Sequence, residues 1–259
     1  MNQQQQMIGA QLRQWRQRRR MNQLDLAVEA DISSRHLSFI ETGRSKPSRA
    51  TVMRLADGLD LPLRNRNALL LAAGFAPVYP ERSIDHPSLA SARETVQRII
   101  DCHMPFPALA VDRHWSLIAA NAAVAALLNG VAPDLLQPPV NVLRLSLHPD
   151  GLGRRIVNLA EWKHHLIERL RRQVVQSADP VLEAMVEELR AFPAPASKSP
   201  PDAHASIAIP LILDSPGGRL SLLSTTTIFG TPVEVTLSEL AIESFFPADA
   251  ETAERLRRI

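Results

Sequence analysis

Residues 23–43 read Gln23-Leu-Asp-Leu-Ala-Val-Glu-Ala-Asp-Ile-Ser-Ser-Arg-His-Leu-Ser-Phe-Ile-Glu-Thr-Gly43. Two short helical patterns lie here, joined by a tight turn. The first turns Leu26, Ala27 and Ala30 to one side and the second turns Leu37 and Ile40, the spacing of a helix with one buried face. Ala27 is small where the two helices cross. Asp31 stands in the turn, where left-handed backbone is required, a conformation that Asp tolerates better than most non-glycine residues. Ser33 and Ser34 are N-cap candidates for the second helix, and Gly43 ends it as a C′ residue. This pattern predicts a helix-turn-helix, a motif whose second helix enters the DNA major groove.

Charge agrees with that expectation. Residues 1–76 carry 12 Lys and Arg against 6 Asp and Glu, whereas the rest of the chain carries 17 against 21. The positive charge is therefore concentrated at one end, where it would neutralise phosphates and release counterions. The acidic remainder argues against general coating of nucleic acid. Arg18, Arg19 and Arg20 close the first helix, complement its negative C-terminus, and are expected to contact phosphates. Ala50–Asp60 has apolar residues at helical spacing (Val52, Met53, Leu55, Ala56, Leu59). After Leu61-Pro62, a further helix runs over 63–73 with Leu69, Leu70 and Leu71, and Gly74 stops it. Five helices are expected in one all-α domain over residues 1–76.

This stretch and its flanks resemble the XRE family, the lambda-type repressor fold. Gln23, Leu26-Ala27, Ile32-Ser33, Leu37, Ile40-Glu41, Gly43 and Pro47 stand at that family's recurring positions, and Asp31 departs from its usual Gly. The resemblance implies double-stranded DNA as partner and assigns roles. Ser33, Ser34, Arg35, Ser38 and Phe39 fall at or near positions that read base edges. Arg35 suits guanine O6 and N7, and Phe39 a thymine methyl. Gln23 is similar to the family's backbone-contacting Gln. Arg44, Ser45 and Lys46 follow in a loop along a phosphate strand, where they position rather than specify. Arg16 and Glu41 match a family ion pair tying the first helix to the recognition helix. A two-fold dimer on a pseudopalindromic operator is the expected assembly.

The chain has 259 residues, 45% of them hydrophobic, which is enough for more than one buried core. No apolar run approaches the ~20 residues that span a bilayer, and Met1–Gln6 is polar and uncharged, without a signal-peptide core. Cys102 is the sole cysteine, so neither an intrachain disulfide nor a Cys-based zinc site is available, and it reads as a small buried hydrophobe. Together these predict a cytoplasmic protein with no membrane association. Residues 77–87, interrupted by Pro77, Pro80 and Pro87, read as a linker. Pro193–Ala205 reads as an exposed loop.

Residues 88–259 read as an α+β domain. Leu89–His103 is an amphipathic helix with Ala92, Val96, Ile99 and Ile100 inward. Pro107–Asp112 and Trp115–Ala120 form a hairpin, and Asn121 caps a helix through Leu128. Asn141–Leu147 is a short helix, followed by a turn at His148-Pro-Asp-Gly151. Helices follow at Asn158–Ser177 and Val181–Phe192. Ser206–Leu213 and Arg219–Ile228 are hairpin strands, and a last strand lies within Leu237–Phe246. This order suits an antiparallel sheet with helices gathered to one face, a PAS-like arrangement.

A second resemblance extends over nearly the whole chain. Ser34-Arg-His-Leu-Ser-Phe-Ile-Glu-Thr-Gly-Arg-Ser, Leu61-Pro-Leu-Arg-Asn-Arg-Asn-Ala-Leu-Leu-Leu-Ala-Ala-Gly-Phe-Ala-Pro and Asp112-Arg-His-Trp resemble the MmyB-like regulators. So do His148-Pro-Asp-Gly, Phe229-Gly-Thr-Pro and Glu243-Ser-Phe-Phe-Pro-Ala-Asp. The resemblance implies a helix-turn-helix joined to a PAS-like ligand-binding domain, hence a sequence-specific transcriptional regulator sensing a small apolar or amphipathic, fatty-acid-like effector. Phe106, Trp115, Trp162 and Phe229 are the pocket candidates. The alternative is a constitutive DNA-binding regulator whose C-terminal domain dimerises or docks a protein partner. An enzyme is not expected: there is no Gly-x-Ser-x-Gly elbow, P-loop or Gly-x-Gly-x-x-Gly. Neither cofactor nor metal is expected, since the adjacent His164 and His165 point to different sides of a helix.

Overall fold

The structure, a computed structural model, describes residues 3–195 and 209–258. It divides into two compact units. One runs to Glu81 and takes in Val175–Ala178 and Val233–Val235, and the other comprises the remainder.

Up to Glu81 the chain forms α1 (Gln3–Arg18), α2 (Gln23–Glu29), α3 (Ser34–Glu41), α4 (Arg49–Gly58) and α5 (Leu63–Ala72), the expected five-helix array. Ile8, Leu12 and Trp15 of α1 meet Leu26 and Ala27 of α2, Leu37 and Ile40 of α3, Val52, Leu55 and Ala56 of α4, and Leu69 and Leu70 of α5 in one core. Each such large aliphatic side chain contributes about 1.5–3 kcal/mol when buried. Helices of seven to sixteen residues are too short to persist without that packing. Leu71, read as part of the apolar stripe, is instead exposed. Within 77–87, Val78 and Tyr79 are fastened to α5. The buried Asn67 side chain accepts from both backbone N–H groups and donates to the Tyr79 carbonyl.

The rest of the chain forms, in order, α6 (Ala90–Asp101), β1 (Ala108–Val111), β2 (Leu117–Ala120), α7 (Ala122–Leu127), α8 (Val142–Leu147), α9 (Leu159–Ser177), α10 (Pro180–Ala191), β3 (Leu211–Ser215), β4 (Gly218–Ile228), α11 (Val235–Ser238), β5 (Ala241–Pro247) and α12 (Ala250–Arg257). Among the described residues the five strands form one antiparallel sheet, in the order β2-β1-β5-β4-β3. Side chains alternate between its faces. Leu109 and Val111 point into a large cluster with Leu127 of α7, Leu145 of α8, Leu166 of α9 and Leu189 of α10. Ala108 and Ala110 point the other way and pack with Ile242 against Val96 and Ile100 of α6.

Several expectations need correction. The helices are not gathered on one face, because α6 covers the opposite one with Val96 and Ile100 inward. Ile99 is exposed and Ala92 only half-buried. Cys102 is exposed, not buried, since it lies just past the end of α6. The strand expected over 206–213 begins at Leu211, with 206–208 outside the described residues, and its hairpin turns over Pro216-Gly217 between Ser215 and Gly218. Leu237 belongs to a helical turn rather than to β5. Asn121 stands at the N-cap of α7 but makes no capping bond. Its buried side chain instead accepts from Ala108 N and donates to the Ile100 and Phe106 carbonyls. Those three bonds fix the entry of β1 against the end of α6.

Candidate functional site

The helix-turn-helix face is built from caps and one buried polar knot. Asn22 caps α2 in a capping box with Asp25. Asp31 takes a left-handed conformation at φ 49°, as the turn requires, and its carbonyl is held by Arg54 Nη1 at 3.1 Å. Ser33 is the N-cap of α3, its Oγ accepting from His36 N at 3.1 Å. Gly43, at φ 71°, lets Arg44 N and Ser45 N both return to the Phe39 carbonyl, at 2.8 and 3.1 Å.

Beneath α3, Arg16 donates through Nε and Nη2 to the two oxygens of Glu41 at 2.7 and 2.8 Å. Gln23 Nε2 donates to Glu41 Oε2 at 2.9 Å, which uses one of its two amide hydrogens. Burial pushes the Glu41 carboxyl up. The hydrogen bonds from Arg16 and Gln23, with the charges of Arg16 and Arg13, outweigh it and hold the pKa below its ordinary value. Gly9 is part of the same packing. A Cβ there would meet the Ile40 and Glu41 carbonyls at 2.6 Å, so only glycine lets α1 approach the end of α3 this closely.

Outward from this knot, Ser34 and Arg35 are exposed at the start of α3, and Ser38 and Phe39 are half-buried one turn later. The Arg35 guanidinium lies over the Phe39 ring at 5.4 Å. Arg44 and Lys46 are exposed in the loop after α3, with Ser45 half-buried between them. Thus Gln23, Ser33, Ser34, Arg35, Ser38, Phe39, Arg44, Ser45 and Lys46 all belong to α2, α3, the turn between them or the loop after α3. Within the run at the end of α1, Arg19 is engaged by the protein itself. Arg19 donates to the Leu59 and Asp60 carbonyls at 2.8 and 3.0 Å, satisfying the C-terminal end of α4.

The sheet domain encloses a cavity of about 340 Å³, within the range of small-ligand sites. Its walls are apolar: Leu109 of β1, Leu127 of α7, Leu145 of α8, Leu166 of α9 and Phe245 of β5, with Trp115 and Trp162. Trp162 donates Nε1–H to Ser146 Oγ at 3.0 Å and stacks on His165 at 5.5 Å. The His165 pKa is lowered by burial first, then by the charges of Arg169 and Arg172. Trp115 is backbone-strained at φ 65°, a genuine outlier for a bulky residue and worth about 1–3 kcal/mol. Asp112 Oδ1 holds the hairpin around it, accepting from His114 N and Ser116 N at 2.8 Å. The strain turns the indole into the cavity wall, where Nε1 donates to Gln173 Oε1 at 2.9 Å.

A family model described as the MmyB-like transcription regulator ligand binding domain matches residues 92–259. The chain belongs to this family. A helix-turn-helix domain model matches residues 8–69 of the same chain. The uncharacterized HTH-type transcriptional regulator RghRB of Bacillus subtilis is 42% identical over 75 residues, which cover 29% of this chain and 52% of that protein. The uncharacterized HTH-type transcriptional regulator Mb0023 of Mycobacterium bovis is 38% identical over 65 residues, 25% of each chain. The chain thus spans about half the length of the first relative and a quarter of the second.

In this MmyB-like domain, two of the four expected pocket aromatics line the cavity and two do not. Trp115 and Trp162 do. Phe106 lies outside it, half-buried and edge-on to His103 at 5.9 Å. Phe229 packs with the α6 cluster on the opposite face of the sheet. Sequence reading missed the cavity's charged group altogether. Arg169 of α9 donates from Nη1 and Nη2 to Glu243 of β5, at 2.9 and 2.5 Å, and from Nη2 to Thr226 Oγ1 at 2.6 Å. Its guanidinium lies 4.5 Å from the centre of the Trp115 ring. Glu243 opens the Glu243-Ser-Phe-Phe-Pro-Ala-Asp stretch, but nothing local marks Arg169 as its partner. Among the described residues no group of three or more His, Cys, Asp or Glu is placed to hold a metal ion, and no helix is long and apolar enough to cross a membrane.

Proposed function

We propose that this MmyB-like regulator binds an operator through α3 and that a small amphipathic ligand in the sheet-domain cavity sets its affinity for DNA. The observation that carries the reading is the cavity: about 340 Å³, walled by Leu, Val, Phe and Trp side chains, with a single ion pair at its edge. Such a space suits an alkyl, fatty-acid-like chain with one polar end.

At the other end of the chain, Arg35 stands exposed where it can fork onto a guanine edge, and Phe39 lies beside it for a thymine methyl. Ser34 and Ser38 supplement them. Arg44, Ser45 and Lys46, with the remaining amide hydrogen of Gln23, are assigned to the phosphate backbone. The first-turn N–H groups of α3 favour phosphate as well, Ser33 fixing their geometry. A two-fold dimer requires half-sites one helical turn apart, ~34 Å, or a multiple.

Native mass spectrometry of the purified chain, with denaturing extraction of whatever co-purifies, tests the sensor half directly. A stoichiometric alkyl-chain molecule supports the reading. A clean apo mass, joined to no thermal shift with any amphiphile, favours a sheet domain that dimerises or docks a protein. A footprint of one half-site at saturating protein contradicts the dimer.

A further inference from the structure

We infer that the cavity selects ligands with an uncharged polar head, a hydroxyl, amide or ester, and rejects free carboxylates, and that Glu243 is the residue responsible. The inference rests on the ligand-sensing reading above and refines it. A cavity with a lone arginine at its wall would recruit a carboxylate, because an unpaired buried cation is costly and an anion relieves it. Here the cation is already matched. The Glu243 side chain is only 4% exposed and that of Arg169 17%, and both carboxylate oxygens of Glu243 receive Arg169 N–H groups.

Glu243 sits on an anchored backbone and is held at its carboxylate by Arg169. It lies on β5, paired with Leu109 of β1 on one side and Thr226 of β4 on the other, so its backbone is fixed by strands on both edges. Arg169 is equally constrained, held by Thr226 Oγ1 and by the Trp115 ring. A ligand carboxylate entering this apolar space would place two carboxylates around one guanidinium. One of them would have to take up a proton or remain an uncompensated buried charge. An ammonium head meets the same problem with opposite sign, since the charge of Glu243 is already matched by Arg169.

A neutral head finds partners. Three of the five Arg169 N–H bonds are used by Glu243 and Thr226, which leaves donors for a ligand oxygen. The Glu243 oxygens retain lone pairs for a ligand O–H or N–H. Ser146 and Ser224 add hydroxyls at the cavity wall, and Ser146 Oγ accepts from Trp162, which leaves its own proton to donate. The ion pair thus acts as a neutral, two-sided hydrogen-bonding plate rather than as a charge trap.

The test uses the full chain stripped of co-purifying lipid and three probes of equal tail length: 1-decanol, decanoate and decylamine. Calorimetry at pH 7.5 is expected to give 1-decanol an affinity about tenfold or more above either charged probe. Glu243→Gln, which frees Arg169, is expected to raise decanoate affinity at least to that of 1-decanol. Decanoate or decylamine binding wild type as tightly as 1-decanol overturns the inference while leaving the cavity reading intact. No binding of any probe overturns both. Should Glu243→Gln fail to fold, the wild-type ratio still decides, and Arg169→Gln/Glu243→Gln supplies the second variant: removing both charges must not improve decanoate over 1-decanol.

Discussion

Arg16 and Glu41, 25 residues apart, are joined by two parallel N–H···O bonds that tie α1 to the last residue of the helix proposed to read DNA. Both ends are sheltered, with side-chain exposures of 11% and 2%. Glu41→Ala leaves the sheltered Arg16 guanidinium without its counter-charge, with only the Met21 carbonyl still accepting from Nη1, and the expected loss is on the order of 3 kcal/mol. Guanidinium-chloride unfolding of Glu41→Ala, Arg16→Ala and the double variant checks it. The double variant is expected to lose less than the sum of the singles. Additive losses would mean that the two residues stabilise the domain separately.

The same knot predicts an acid limb. The folded Glu41 pKa lies below its ordinary value of 4.5, so the folded state holds fewer protons than the unfolded one near that pH. The stabilisation is therefore complete above about 4.5 and disappears as pH falls through the lower folded value. Asp179 shifts in the same direction. Burial opposes the shift, but hydrogen bonds from His114 and the Val181 N–H, with the charge of Arg113, outweigh it below 3.8. Thermal melts from pH 7 to 3 should show wild type losing stability faster than Glu41→Gln. Parallel curves would remove Glu41 from the account.

Arg35→Ala should weaken operator binding by about 1–3 kcal/mol and relax the choice at one base pair. The guanidinium resting over Phe39 is already placed on the exposed side of α3, so its removal should leave the fold intact. Binding to a set of single-base operator variants distinguishes the roles. A uniform loss across all of them would make Arg35 a phosphate contact.

Much of this architecture is legible residue by residue. The helix-turn-helix is written in local signals: apolar spacing, a Ser cap, an Asp able to take positive φ, and Gly43. The hairpins are written in alternation and turn residues. What stays hidden is what depends on distance. Arg169 and Glu243 are 74 residues apart, and neither has a local signature. Gly9 looks like an ordinary helical glycine until the carbonyls of Ile40 and Glu41 are placed beside it. Phe106 and Phe229 look as fit for a pocket as Trp115, and only tertiary packing separates them: Phe106 sits edge-on to His103 before β1, and Phe229 packs with the α6 cluster just after β4. α12 escapes because Thr252 and Leu256 are all it buries, too few apolar positions to show a period.

The most direct measurement is operator affinity as a function of ligand. An operator chosen from random DNA by the full chain is labelled, and binding is followed by fluorescence anisotropy with and without saturating 1-decanol or the co-purified molecule. Linkage requires that a ligand which alters DNA affinity have its own affinity altered by the same factor. The account predicts a change in operator Kd of about fivefold or more, with the reciprocal change in ligand Kd, both lost when Leu166→Trp fills the cavity. A ligand that binds the cavity and leaves operator affinity unchanged would contradict it.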